Sequence, residues 1–71
     1  MYTNSQVNSI LAEYIHNRQD REVMTIYLTD RPRSLEALAE ECDLSVSTIK
    51  RIIGRNHYIL RYLHIDEPEL N

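Results

Sequence analysis

Glycine and proline are nearly absent from this chain, with one Gly and two Pro in 71 residues. A turn-rich β fold needs such breakers at its reversals, so their scarcity favours helices. Phe and Trp are missing altogether, and five tyrosines supply the aromatic content. Each Tyr can bury its ring but needs a partner for its hydroxyl. The single cysteine, Cys42, cannot form an internal disulfide and fits a reducing compartment. No apolar run reaches the length of a membrane span. The opening Met1-Tyr2-Thr3-Asn4-Ser5 has neither the basic start nor the apolar stretch of a signal peptide. These absences lead to the expectation of a cytoplasmic protein without membrane contact. They also exclude most chemistry. There is no glycine-rich phosphate loop and no nucleophile motif, and a chain this short has no room for a deep pocket. No enzyme activity, cofactor or small-molecule ligand is expected. His16, His57 and His64 with Cys42 lack close ligand pairs of metal-site spacing, so no metal is expected either.

What is present describes a folded domain. Apolar residues make up 42% of the chain, too many for disorder. The length allows one domain, residues 1–71, with a thin core. The net charge of -3 counts against nucleic acid when taken alone, because DNA binding is largely phosphate neutralisation. Its distribution changes the picture. Residues 1–44 hold four arginines against eight acids. Residues 45–64 hold Lys50, Arg51, Arg55 and Arg61 with no acid, and residues 65–71 hold three acids and no base.

The apolar spacing is helical. Val7, Ile10, Leu11, Tyr14 and Ile15 predict a first helix within 4–17, capped by Asn4 or Ser5. The polar run Asn17 to Glu22 predicts a break, with Asp20 as N-cap of a second helix carrying Val23, Met24, Ile26, Tyr27 and Leu28. That helix stops before Pro32. Ser34 caps a third helix with Leu35, Leu38, Ala39 and Cys42 on one face, ending near Asp43. Ser45 caps a fourth with Ile49, Ile52 and Ile53 inward, and Gly54 ends or bends it. The segment from His57 to Ile65 fits either a strand or a short fifth helix. With two β-branched residues in nine, helix is favoured. Asp66 to Asn71 reads as a frayed acidic tail. The expected fold is all-α, four or five short helices around a central core of residues 20–55, with 56–71 as a tail.

The stretch Ser34-Leu-Glu-Ala-Leu-Ala-Glu-Glu-Cys-Asp-Leu-Ser-Val-Ser-Thr-Ile-Lys-Arg-Ile-Ile53 resembles the helix-turn-helix of bacterial transcription regulators. With the preceding helix, Arg21 to Arg55 looks like the tri-helical core of DeoR-like and sporulation-type regulators. Two helices crossing steeply through a short turn admit only a small side chain at the crossing, where Ala39 stands. Leu35, Leu38 and Cys42 fill the first helix's inner face. Leu44 plugs the turn, and Ile49 and Ile52 anchor the second helix. Such families usually carry Gly where this chain has Asp43, because the turn needs a left-handed backbone. Asp is among the next most tolerant residues there. Cys42 falls on a core position, where a free thiol behaves as a small hydrophobe and not as a redox sensor.

The resemblance implies double-stranded DNA as partner, with the second helix of the motif in the major groove. It places Ser45, Val46, Ser47, Lys50 and Arg51 opposite the bases. Arg31, Arg33, Thr48, Arg55, His57 and Arg61 are candidate phosphate contacts. The stripe Val7, Leu11, Tyr14 and Ile15 packs either on the chain's own core or on a second subunit of a homodimer. The expectation is a small bacterial or phage repressor acting by operator occupancy, since no effector domain is visible. The alternative is a protein-interaction module gripping polymerase, a sigma factor or a nuclease.

Overall fold

A computed structural model describes residues 3–62, 64 and 65. Thr3 starts the first helix. Its hydroxyl accepts from the Gln6 amide at 3.2 Å, and the Gln6 side chain accepts from the Thr3 amide at 2.8 Å. This reciprocal capping box satisfies two amides that the first turn leaves without intrahelical partners. The cap therefore lies one or two residues before the expected Asn4 or Ser5. α1 spans Asn4–Tyr14 and stops at Ile15, whose backbone is extended.

The second helix begins earlier than its apolar pattern suggests. α2 spans Arg18–Thr29 with Asn17 as N-cap, the Asn17 side chain accepting from the Asp20 amide at 3.1 Å. Asp20 is thus not the cap but the third helical residue, and it is buried. The reason is tertiary: its carboxylate has partners on the last helix, which an N-cap position would not reach. Asp20, Val23, Met24, Tyr27 and Leu28 form the buried strip of α2, with the three- and four-residue spacing of a single helix face.

Helix α3 spans Leu35–Cys42, and the Ser34 hydroxyl accepts from the Ala37 amide at 3.1 Å. α4 spans Val46–Tyr62. It runs straight through Gly54, where a Cβ would meet nothing within 4 Å. Of the segment read as a separate helix or strand, His57 to Tyr62 continue α4, since Asn56, Ile59 and Leu60 keep the face of Ile52 buried past the glycine. Both α3 and α4 end in the same manner. The Leu44 amide donates to the Ala39 carbonyl at 2.9 Å, and the Ile65 amide to the Leu60 carbonyl at 2.9 Å. Asp43 (φ 58°) and His64 (φ 54°) take the left-handed conformation that these closing turns require. Asp66 to Asn71 lie outside the described residues.

The architecture is all-α. α2 is the central element, packed against α1, α3 and α4, while α3 and α4 pack against each other. Leu11, Met24, Leu38, Ile49, Ile52, Ile59 and Leu60 form the fully buried centre. Val7, Leu11 and Ile15 belong to this same core. Of the two readings of the stripe Val7, Leu11, Tyr14 and Ile15, packing on the chain's own core accounts for three of its four residues, because α1 must cover α2. Tyr14 alone of the four is exposed. Among the described residues, no helix is long and apolar enough to cross a membrane.

Candidate nucleic-acid interface

The turn between α3 and α4 is built from short-range chemistry. Ala39 and Leu38 are buried on α3, and Ile49 and Ile52 on α4. Leu35, Cys42 and Leu44 are half-buried and pack against the core. Asp43 adopts φ 58°, ψ 44°, the left-handed turn residue expected there. Ser45 then starts α4: its hydroxyl accepts from the Thr48 amide at 3.2 Å and lies 2.9 Å from the Thr48 hydroxyl. Inward anchoring by Ile49 and Ile52 leaves Ser47, Lys50 and Arg51 exposed on the opposite side of the first two turns. Ser45 is exposed too. Val46 departs from the expectation, being half-buried against the core, so less of it is left to meet a base.

The phosphate candidates are dispersed. Arg31 and Arg33 are exposed on the loop after α2, and Arg31 takes a left-handed backbone (φ 50°) before Pro32. Thr48 and His57 are half-buried and Arg61 is exposed. Arg55 is engaged within the fold. Its Nε donates to Asp20 Oδ2 at 2.9 Å and its Nη2 to Oδ1 at 2.7 Å. Asn56 Nδ2 donates to Asp20 Oδ2 at 3.0 Å and to the Ile52 carbonyl at 2.8 Å. The Arg55 hydrogen bond above all holds the Asp20 carboxyl below the usual carboxylate range, against the opposing effect of burial.

Sequence reasoning missed the part played by Asp20 and Asn56. A signal was available: Asp20 precedes Val23, Met24 and Tyr27 by three, four and seven residues, which puts an acid on the apolar face of α2. It also missed Tyr58 and Tyr62, 62% and 74% exposed, which with Tyr14 and Ile59 line an apolar cleft of about 330 Å³.

Acidic groups collect elsewhere. Glu36, Glu40, Glu41 and Asp43 are exposed on and after α3. The Glu41 carboxyl is pushed up chiefly by its hydrogen bond with Asp30. Burial, with Glu41 and Glu22 adding to it, pushes the Cys42 thiol up as well. A neutral, half-buried thiol is a poor nucleophile, so Cys42 serves packing. No group of three or more His, Cys, Asp or Glu placed to hold a metal ion occurs among the described residues.

Residues 3–67 match the model of the Mga helix-turn-helix domain, so the chain belongs to that family. No curated protein and no solved structure matches it. The family is one of DNA-binding domains of transcription regulators and is not catalytic. The resemblance read from Ser34 to Ile53 holds at the level of the helix-turn-helix, while the narrower placement among DeoR-like or sporulation regulators gives way to the Mga type.

Proposed function

We propose that this Mga-type helix-turn-helix domain reads duplex DNA through the first two turns of α4 and represses transcription by occupying its operator. The observation that carries the reading is the exposed, acid-free start of α4. Ser45, Ser47, Lys50 and Arg51 point outward while Ile49 and Ile52 fix the helix from within. Arg51 can take a guanine edge in bidentate fashion, Lys50 can reach the same acceptors, and Ser47 can donate to either base or phosphate. Arg31, Arg33, Thr48, Arg55, His57 and Arg61 supply backbone contacts, which set register without reading sequence. The acids of α3 and the cations of α4 form a charge asymmetry that orients the domain on approach to DNA. Such a domain works where the DNA is, in the cytoplasm of a bacterial cell, and pairs as a homodimer on two half-sites.

Selection from a random duplex library tests this. The wild-type chain is expected to enrich a short motif that the Lys50→Ala, Arg51→Ala double variant loses. A folded wild-type chain that enriches nothing at low salt refutes the reading.

One observation favours a second reading, docking onto a protein. The cleft between Tyr14, Tyr58 and Tyr62 offers exposed aromatic surface of the sort that protein interfaces use. Salt separates the two readings: DNA affinity falls steeply with salt, and apolar docking does not.

A further inference from the structure

Asp20 and Arg55 stand far apart in the chain and meet through two parallel hydrogen bonds of 2.9 and 2.7 Å. Asp20 is 3% exposed, whereas the Arg55 side chain keeps 53% of its surface in solvent. The Asn56 amide takes a further lone pair of Asp20 Oδ2 and is itself fixed on the Ile52 carbonyl. An ion pair is a weak device for stability whether it is exposed or buried. What a bidentate pair does provide is orientation: it fixes the plane of the guanidinium. It also engages only two of the five N–H donors of that group. The half-exposed outer edge is left to face solvent in a set direction.

That edge is well placed. Thr48, Arg51 and Arg55 follow one strip of α4, at spacings of three and four residues. From Ser47 to Arg55 the helix rises about 12 Å, at about 1.5 Å per residue. The major groove is about 8.5 Å deep. A helix that enters it by its N-terminus, with Ser47 at the base edges, therefore carries Arg55 out to the rim, where the phosphates lie.

We infer that Asp20 is a positioning residue for DNA binding: it holds the Arg55 guanidinium at the edge of the interface as a preset donor to a backbone phosphate. This rests on the proposed DNA reading and deepens it, with the phosphate as the group recognised. A preset arginine loses little side-chain freedom when it binds.

The sign of one substitution separates positioning from charge. Asp20→Asn removes a negative charge close to the DNA, so electrostatics alone makes binding tighter. Positioning makes it weaker. The test is fluorescence anisotropy on a labelled random-sequence duplex over a series of salt concentrations, with thermal melts run in parallel. Asp20→Asn is expected to weaken binding about three- to tenfold, as the loss of one well-placed hydrogen bond does. Arg55→Gln is expected to lower the salt slope by about 0.9. In the Arg55→Gln background, Asp20→Asn is expected to cause no further weakening. Should Asp20→Asn fail to fold, Arg55→Lys decides, because it keeps the charge and breaks the fork; it is expected to bind more weakly at an unchanged slope.

Asp20→Asn binding as tightly as the wild type, or weakening both backgrounds equally, overturns the inference alone. So does Arg55→Lys binding like the wild type. A wild-type chain that binds no duplex at low salt overturns the DNA reading and the inference together.

Discussion

The amide of Leu44 donates to the carbonyl of Ala39 at 2.9 Å and closes the turn that sets α4 against α3. The bond is possible because the residue before Leu44, Asp43, turns into the left-handed region at φ 58°. An L-residue with a side chain is strained there, and glycine is not. The left-handed region costs an L-residue about 1–2 kcal/mol, and glycine's extra entropy loss offsets about 0.5–1 kcal/mol of that, so Asp43→Gly is expected to stabilise the domain by about 0.5–1 kcal/mol, read as a higher urea midpoint at an unchanged slope. A lower midpoint would mean that the Asp43 carboxylate makes a contribution exceeding its backbone strain.

Gly54 lies in the interior of α4 with open space where its Cβ would be. A helix-interior glycine is about 0.8–1.0 kcal/mol less favourable than alanine. Gly54→Ala should raise the thermal midpoint by several degrees, since about 1 kcal/mol corresponds to about 4–8 °C in a domain of this size. No change, or a fall, would show that α4 needs to bend at this point.

Leu38 is fully buried between the helices of the turn. Truncation to alanine costs about 2–5 kcal/mol. A domain of this length has about 4–11 kcal/mol in total, at about 0.05–0.15 kcal/mol per residue. Leu38→Ala is expected to populate the unfolded state measurably at 37 °C, seen as lost helical circular dichroism. A wild-type melting curve from this variant would contradict the packing described.

The Asp20 pair also sets a pH dependence. In the fold its carboxyl is held below the usual range, above all by Arg55. Its contribution is thus complete above the ordinary carboxylate value and is lost as pH falls through about 4 toward the lowered folded value. Urea midpoints measured between neutral and acid pH should fall more in the wild type than in Asp20→Asn. Parallel decline in the two proteins would place the acid sensitivity in other carboxylates.

The helix-turn-helix was legible because its determinants are local. Ser34 and Ser45 cap at the expected positions, Asp43 supplies the left-handed residue, and the apolar spacing of Leu38, Ala39, Ile49 and Ile52 matches their burial. The start of α2 was not legible. Asn17 and Asp20 are both good caps, and nothing within the segment chooses between them. The choice is made by Arg55 and Asn56, more than thirty residues away. The extent of α4 was obscured for a similar reason: glycine carries a local penalty, and the burial of Ile59 and Leu60 beyond it outweighs that penalty.

What the sequence by itself determined is the helical class, the turn and the outward face of the first turns of α4, since each follows from capping, backbone preference and a repeat of three to four residues. Only the tertiary structure decided that α1 spends its apolar stripe on α2, that Gly54 stays inside a helix, and that one candidate phosphate ligand is gripped from behind by a buried acid. Those outcomes depend on which distant surfaces meet, and a local pattern states that a face is apolar or charged without stating what covers it.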